Sequence, residues 1–356
     1  MIKKVVIYYG GFLLKAGGVT VHVKTLDCEL RKMGLEVSIV SLECLPIWCR
    51  YVPHLTEKLF NLVCRPLGFM YKGLMTRFLY KRFFKNKADA RIFEDIYLAW
   101  NTNIPSIIIL HAVWSDNLQS FVISATQQNR LKKLEASLIN KLKHPIVTVS
   151  YPYRKYLTDV HFANYPLREI DVIELGLDQT SFPVLIKSDV NKKSIVYCGA
   201  LESRKNVSFL LKVFQKLCKI DSEFKLTIIG EGPEKDLLLG FANENRDLQI
   251  SFLGRLSHDN VITELPRHGI YIHTSLKESF SYSLLEAKLL GLKTCAYSGL
   301  EVPRAFIDVP IDLFEIDAWC NAILSINWKT DNFNSAYYSS ERMTISVLNK
   351  IRSFIY

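Results

Sequence analysis

The stretch KESFSYSLLEAKLLGLKTCAYSG, Lys277 to Gly299, decides the fold. It follows a short apolar run, GIYIH (Gly269 to His273), that reads as a buried parallel strand, with Ser275 to Glu278 as the loop at its carboxyl end. Ser279, Ser281 and Ser283 are hydroxyl residues suited to capping a helix start. Leu284 to Leu290 continue as good helix formers until Gly291, a C-terminal stop, and LKTCAY (Leu292 to Tyr297) is the next strand. Strand, loop, helix, strand puts the loop and the helix start where open α/β sheets bind ligands. Backbone N–H groups and the helix dipole there are aimed at an anion. Glu278 falls in the loop and Glu286 on the helix, at a spacing of eight.

A chain of 356 residues suits two domains of about 150–200 residues each. With 49% hydrophobic and 22% charged residues it is a folded globular protein without a disordered bulk. No apolar run approaches the roughly 18 residues that span a bilayer. MIKKVVIYYGG reads as a first strand and not as a signal peptide, since its apolar stretch is short and no small-residue cleavage site follows. The 8 cysteines form no CxxC pair and no zinc spacing, which predicts reduced, buried thiols in a cytoplasmic protein. The net charge of +10 asks for a partner or a surface.

From the amino terminus, KKVVIYY (Lys3 to Tyr9) is a strand, GGFLLKAGG (Gly10 to Gly18) a loop, and Val19, Val23, Leu26 and Leu30 recur at helical spacing up to Gly34. EVSIVSL (Glu36 to Leu42) is the second strand. The loop is glycine-rich but is not G-x-G-x-x-G. His22 lies close to the helix's apolar stripe and reads as a packed core residue.

Residues 45–90 break this alternation. Lysines and arginines dominate from Lys58 to Arg91, with Asp89 the lone acid, and Phe60, Phe69, Tyr71, Phe78, Tyr80, Phe83 and Phe84 are interleaved. Leu74, Met75, Phe78 and Leu79 share one helical face, which predicts at least one amphipathic basic helix. A membrane-surface patch and a core face with solvated lysines opposite both fit. No nucleic-acid-binding motif accompanies the charges, which argues against nucleic acid as a partner.

PSIIILH (Pro105 to His111) is a strand ending in a histidine, Asn129 to Lys143 an amphipathic helix, and PIVTVS (Pro145 to Ser150) a strand. The first domain should occupy 1–180 and a linker 181–193. A second βα series fills 194–330: SIVYCGAL, the loop ESRKN, the helix VSFLLKVFQKL, then KLTIIGEGP and LQISFLGRLS. A helix over 337–356 ends the chain, within a final segment 331–356.

S-x-x-E-S-F, a second glutamate and A-x-x-x-G resemble the E-x7-E signature of the retaining nucleotide-sugar glycosyltransferases of family 4. The strand-end motifs G-x-x-x-x-R-K-N, GEGP and FLGR-L extend that likeness strongly over Ser194 to Val302, and more weakly over Ile2 to Asp178. A plain surface helix with two solvated glutamates is the alternative for Glu278 and Glu286 alone. The resemblance implies an α/β, GT-B fold: two Rossmann-like domains facing each other across a cleft, with the last helix crossing back to the first. DVIELGLD (Asp171 to Asp178) resembles a family segment at the end of the first domain, with Leu175 where the family has Asn.

For the site, the resemblance matches Arg204 and Lys205 to a phosphate clamp, where a planar fork and a mobile ammonium meet developing negative charge. Glu286 matches the acid that binds ribose hydroxyls, and Glu278 the one that holds the transferred sugar. Backbone N–H groups around Phe280, Ser281 and Ser283 would add the helix-terminus contribution. Gly17 and Gly18 match the glycine pair that lets the first loop approach the donor diphosphate, although a tight turn explains them locally as well. His111 matches a histidine facing the donor sugar, where a structural strand-end histidine is the alternative. Ala200 stands where the family often has an arginine.

There is no D-x-D with apolar flanks to hold a diphosphate through a divalent ion, and Asp221 and Glu223 read as solvated in a polar turn. No metal and no cofactor is expected, the nucleotide sugar being a substrate. The reading is a retaining glycosyltransferase of bacterial surface-polysaccharide assembly, passing sugar to a lipid-linked or oligosaccharide acceptor. It would be cytoplasmic, with residues 58–87 against the anionic inner face of the plasma membrane. A GT-B sugar-nucleotide epimerase and an inactive transferase-like subunit of a synthase are the alternatives.

Overall fold

KVVIY (Lys4–Tyr8) and SIIIL (Ser106–Leu110) are buried almost end to end, as strands covered on both faces must be. They belong to a computed structural model that describes every residue except 1, 16, 64–66, 85–86, 117–123, 181, 183–190, 330–331 and 355–356. The chain divides into two units: Met1–Asp178 with Ala336–Tyr356, and Gln179–Ser335. Most of the expected linker, 181 and 183–190, lies outside the described residues.

Unit 1 carries β1 (Lys4–Tyr8), β2 (Glu36–Val40), β3 (Ala90–Phe93), β4 (Ser106–Leu110), β5 (Ile146–Thr148) and β6 (Asp171–Val172), all parallel, in the order β2-β1-β3-β4-β5-β6. Parallel neighbours need crossovers. These are α1 (Gly18–Lys32) after β1, α2 (Val52–Val63) and α3 (Gly68–Phe83) before β3, α4 (Ala125–Lys141) before β5 and α5 (Tyr151–Tyr156) after it. Ser124 closes the start of α4 with a capping box to Gln127.

The basic aromatic segment, residues 64–66 and 85–86 apart, agrees with the sequence reading in its helices and departs from it at a strand. It holds two helices, and it runs into ARIF, a strand in the middle of the sheet that the surrounding charges conceal. On α3, Leu79 is buried and Leu74 and Met75 pack on the core, but Phe78 points outward. Tyr80 is buried and donates to the Tyr9 carbonyl at 2.7 Å. Two of its cations are committed inside the unit: Lys72 pairs with Glu57 at 2.8 Å, and Arg77 donates to the Ala99 carbonyl at 3.0 Å.

Unit 2 repeats the plan with β7 (Ser194–Cys198), β8 (Lys225–Ile229), β9 (Ile250–Gly254), β10 (Ile270–His273), β11 (Lys293–Tyr297) and β12 (Val309–Ile311), parallel, in the order β12-β11-β10-β7-β8-β9. Its helices are α6 (Val207–Ile220), α7 (Lys235–Glu244), α8 (His258–Glu264), α9 (Tyr282–Leu289) and α10 (Ile316–Leu324). Trp319 of α10, fully buried, packs with Phe209 and Phe314 at the centre of this core.

The final helix, α11 (Ser340–Arg352), belongs to unit 1. Leu177 donates its backbone N–H to the Tyr338 carbonyl at 3.0 Å and accepts from the N–H of Ser340, the first residue of α11, at 2.9 Å. Gly176 makes that passage possible, because a Cβ there would lie 2.2 Å from the Ser339 carbonyl oxygen. Leu175, at the position of the family's Asn, is buried and adds no polar group.

Candidate functional site

In each sheet the first strand of the unit is flanked on one side by the second and on the other by a later one. Ligands of open α/β sheets bind at the carboxyl ends of strands at that switch point. In unit 2 it lies between β7 and β10. The loop leaving β7 makes a single turn at Ser203–Lys205 and enters α6 through Asn206 in the left-handed region, φ 53°. The loop leaving β10 ties to it: the Thr274 hydroxyl donates to the Lys205 carbonyl at 2.9 Å, and the Leu276 N–H to the Arg204 carbonyl at 3.0 Å.

That tie brings Arg204, Lys205 and Glu278 together. The Lys205 ammonium pairs with Glu278 Oε1, the Arg204 guanidinium stands 3.9 Å from the same oxygen, and His273 Nε2 lies 3.3 Å from it. Burial would raise the Glu278 carboxyl, but Lys205, His273 and Arg204 together hold it well below the usual carboxylate range. An ionised carboxylate therefore sits in a cationic recess. Arg204, half exposed, also bonds Glu202 at 2.6 Å.

The α9 end of the same site starts one residue after Ser281, whose Oγ accepts from the Leu284 N–H at 3.4 Å. Ser281 has φ 67°, strained for a residue with a Cβ. Ser283 falls inside the first turn, its Oγ 3.3 Å from that of Ser281. The Phe280 ring is buried against Phe306 and Tyr282, so its backbone is what it offers a ligand. Glu286, nearly buried, takes His258 Nε2 at 3.1 Å, and that bond raises His258 above 6.5 against the opposing effect of burial.

Unit 1 has its own switch point between β1 and β3. A cavity of about 320 Å³ opens there, lined among others by Gly10, Gly11, Glu94, Asp95, His111 and Trp114. His111 follows β4 and places Nε2 2.8 Å from Glu94 Oε2, at the end of β3. His22 of α1 approaches the same oxygen at 3.5 Å, its ring edge-on to His111 at 5.0 Å. Burial lowers His22 to about 4 and pushes the Asp95 carboxyl up to about 7. Gly17 precedes α1 and Gly18 begins it. A Cβ at Gly17 would meet only Thr20 Oγ1, at an ordinary 3.9 Å, so the unit's own packing does not demand glycine.

His22, Glu94 and His111 are the set of side chains among the described residues whose ligand atoms, within 4.8 Å of one another, could hold a metal ion. A metal-bound histidine normally donates its second ring nitrogen to a partner. Neither nitrogen of His22 makes a hydrogen bond. The set fits two imidazoles about a shared carboxylate better than a metal centre.

Sequence reading overlooked His273, His258, Glu94 and Asp95. His273 did end a quoted strand, which was its signal. Glu94 and Asp95 were hidden with β3. Asp221 and Glu223 do lie in a turn, and both pair with Lys193, at 2.8 Å from Asp221.

The profile described as "Glycosyl transferases group 1" matches residues 179–308. Residues 179–308 thus carry a group 1 glycosyl transferase segment. The chain is 26% identical over 198 residues to a glycogen synthase of Mycobacterium tuberculosis, covering 55% of this chain and 47% of that one. It is 30% identical over 167 residues to the phosphatidylinositol N-acetylglucosaminyltransferase gpi3 subunit of Schizosaccharomyces pombe, covering 46% and 35%. The chain thus spans half or less of the length of these curated relatives. Among solved structures, sucrose-phosphate synthase from Thermosynechococcus elongatus aligns with TM-score 0.70 at 15% identity, over 99% of this chain and 94% of that one. WaaG, a glycosyltransferase involved in lipopolysaccharide biosynthesis, aligns with TM-score 0.64 at 12% identity, over 96% and 95%. The two six-stranded parallel sheets of this chain are those of the GT-B fold.

Proposed function

We propose that the chain transfers a sugar, with retention of configuration, from a nucleotide-sugar donor to a saccharide acceptor. The observation that carries this reading is the cluster of Lys205, Arg204 and ionised Glu278 at the unit 2 switch point, beside the start of α9. Arg204 and Lys205 take up the charge that develops on the departing diphosphate. Backbone N–H groups from Phe280 to Ser283 add to it. Glu286 holds the ribose hydroxyls, and Glu278 those of the transferred sugar. In unit 1, Gly17 and Gly18 leave room for the diphosphate, and His111 contacts the donor sugar. The leaving phosphate takes the acceptor proton on the face it departs from, so no protein base is required.

The acceptor is a lipid-linked saccharide of bacterial surface-polysaccharide assembly, met at the inner face of the plasma membrane. The net charge of +10 supports that setting, as do a neighbour described for lipopolysaccharide biosynthesis and a relative named for phosphatidylinositol. A neighbour, Anabaena HepE, was solved with UDP-glucose, which places UDP-sugars first in the trial.

The test incubates the chain with UDP- and GDP-sugars, with and without EDTA, and follows nucleoside diphosphate release and the sugar product. Release that survives the chelator, with an unepimerised sugar of retained configuration, is expected. An epimerised sugar, or no release from any donor, overturns the reading.

A further inference from the structure

In a helix at a protein surface, the apolar stripe normally faces the core. The helix α2 is turned the other way. Tyr51, just before it, and Leu55, Leu59 and Leu62 recur at helical spacing on one face, and all four are exposed, Leu62 by 83%. Ile47 and Trp48, in the segment leading in, are exposed by 79% and 77%. The helix is held from its other side, where Phe60 stacks on Tyr71 of α3 at 3.8 Å and Glu57 pairs with Lys72.

We propose that this face, Ile47, Trp48, Tyr51, Leu55, Leu59 and Leu62, is the surface on which the chain rests on an anionic lipid bilayer. Cations rim it. Lys58 is exposed on the same face, and the Trp48 ring meets Phe83, whose own ring lies 5.8 Å from the Arg82 guanidinium, next to exposed Lys81. Indole and phenol rings with an apolar body and a polar edge settle at the depth of lipid headgroups. A symmetric pairing of two copies through this face would set the same cations against each other, whereas anionic headgroups neutralise them. At 12 residues α2 is too short to span, so it lies in the interface. The surface differs from the one charge alone suggests, because Lys72 and Arg77 are committed inside the unit. The inference deepens the lipid-linked acceptor reading, but vesicle binding is measured without donor or acceptor. Binding without transfer would leave the surface standing and remove that reading.

The full chain is floated with vesicles of equal parts phosphatidylcholine and phosphatidylglycerol, and with pure phosphatidylcholine. The chain should bind the anionic vesicles, and acyl-chain bromines should quench a fluorescence component absent from Trp48→Phe. Combining Leu55→Ser, Leu59→Ser and Leu62→Ser should weaken binding by at least about tenfold, since each removes a buried side chain's worth of transfer energy. Lys58→Ser with Lys81→Ser and Arg82→Ser should remove the salt-sensitive part. These side chains are exposed, so the variants should keep the native far-ultraviolet dichroism. If the leucine variant does not fold, Trp48 quenching in the unaltered chain decides. Failure to bind anionic vesicles, undiminished binding by a folded leucine variant, an unquenched Trp48, or a dimer that the leucine variant dissolves overturns the proposal.

Discussion

The Nε2 nitrogen of His111 lies 2.8 Å from Glu94 Oε2, across the ends of two neighbouring strands. With the carboxylate accepting, Nε2 carries the proton, and a neutral ring then keeps its lone pair on Nδ1. Glutamine at 94 can donate instead and reverse that tautomer. Glu94→Gln should lower kcat about tenfold or more, as losing a charge-assisted hydrogen bond does, with the donor KM little changed. Long-range proton–nitrogen spectra of histidine-labelled protein should show His111 switching tautomer. An unchanged tautomer would mean that packing alone orients the ring.

Arg204 and Lys205 should separate by stability. Removing either should slow turnover by roughly 10- to 150-fold if its hydrogen bond to the diphosphate is felt in the transition state. Lys205 is also the main partner of the buried Glu278 carboxylate. Lys205→Ala should therefore destabilise the protein as well, by up to about 3 kcal/mol, whereas half-exposed Arg204 should leave the unfolding midpoint close to the original. Near-normal turnover in either variant would remove that residue from the site.

The His258 bond to Glu286 should appear in the pH dependence of stability. The folded protein raises His258 above 6.5, chiefly through that hydrogen bond. Its contribution is then fully present below pH 6.5 and lost as pH rises through the raised folded value. His258→Ala should flatten that part of the melting-temperature curve. Parallel curves for the two proteins would show that the pair carries no coupling.

Gly230, like Gly232 and Gly269, is a glycine of unit 2 where backbone meets backbone. It has φ 150°, and a Cβ there would stand 1.8 Å from the Gly199 carbonyl oxygen. Gly230→Ala should cost at least about 1–3 kcal/mol from backbone strain alone, and should displace the loop that leaves β7 toward Arg204. Denaturant unfolding measures the first effect and donor affinity the second. An alanine variant of unchanged stability would contradict the packing described.

Local physics made much of this chain legible. Runs such as SIIIL and SIVYC are apolar after a leading serine because both faces of a parallel sheet are covered, so they mark strands without knowledge of their neighbours. Ser281 ahead of a leucine-rich run, and Gly291 at φ 75° after it, bound α9 through capping chemistry that acts within a few residues. Those signals located the loop of Glu278 and the helix of Glu286, and the motifs around them located Arg204 and Lys205.

Only the tertiary structure decided what depends on distant segments. ARIF is a central strand because β1 and β4 lie on either side of it, information absent from four residues set among charges. Lys205 reaches Glu278, and Glu94 reaches His111, through sheet neighbours that crossovers select. Periodicity announces that α2 has an apolar face but not which way it points. The contacts of Phe60 and Glu57 with α3 hold the opposite side, and so leave Leu55, Leu59 and Leu62 in solvent.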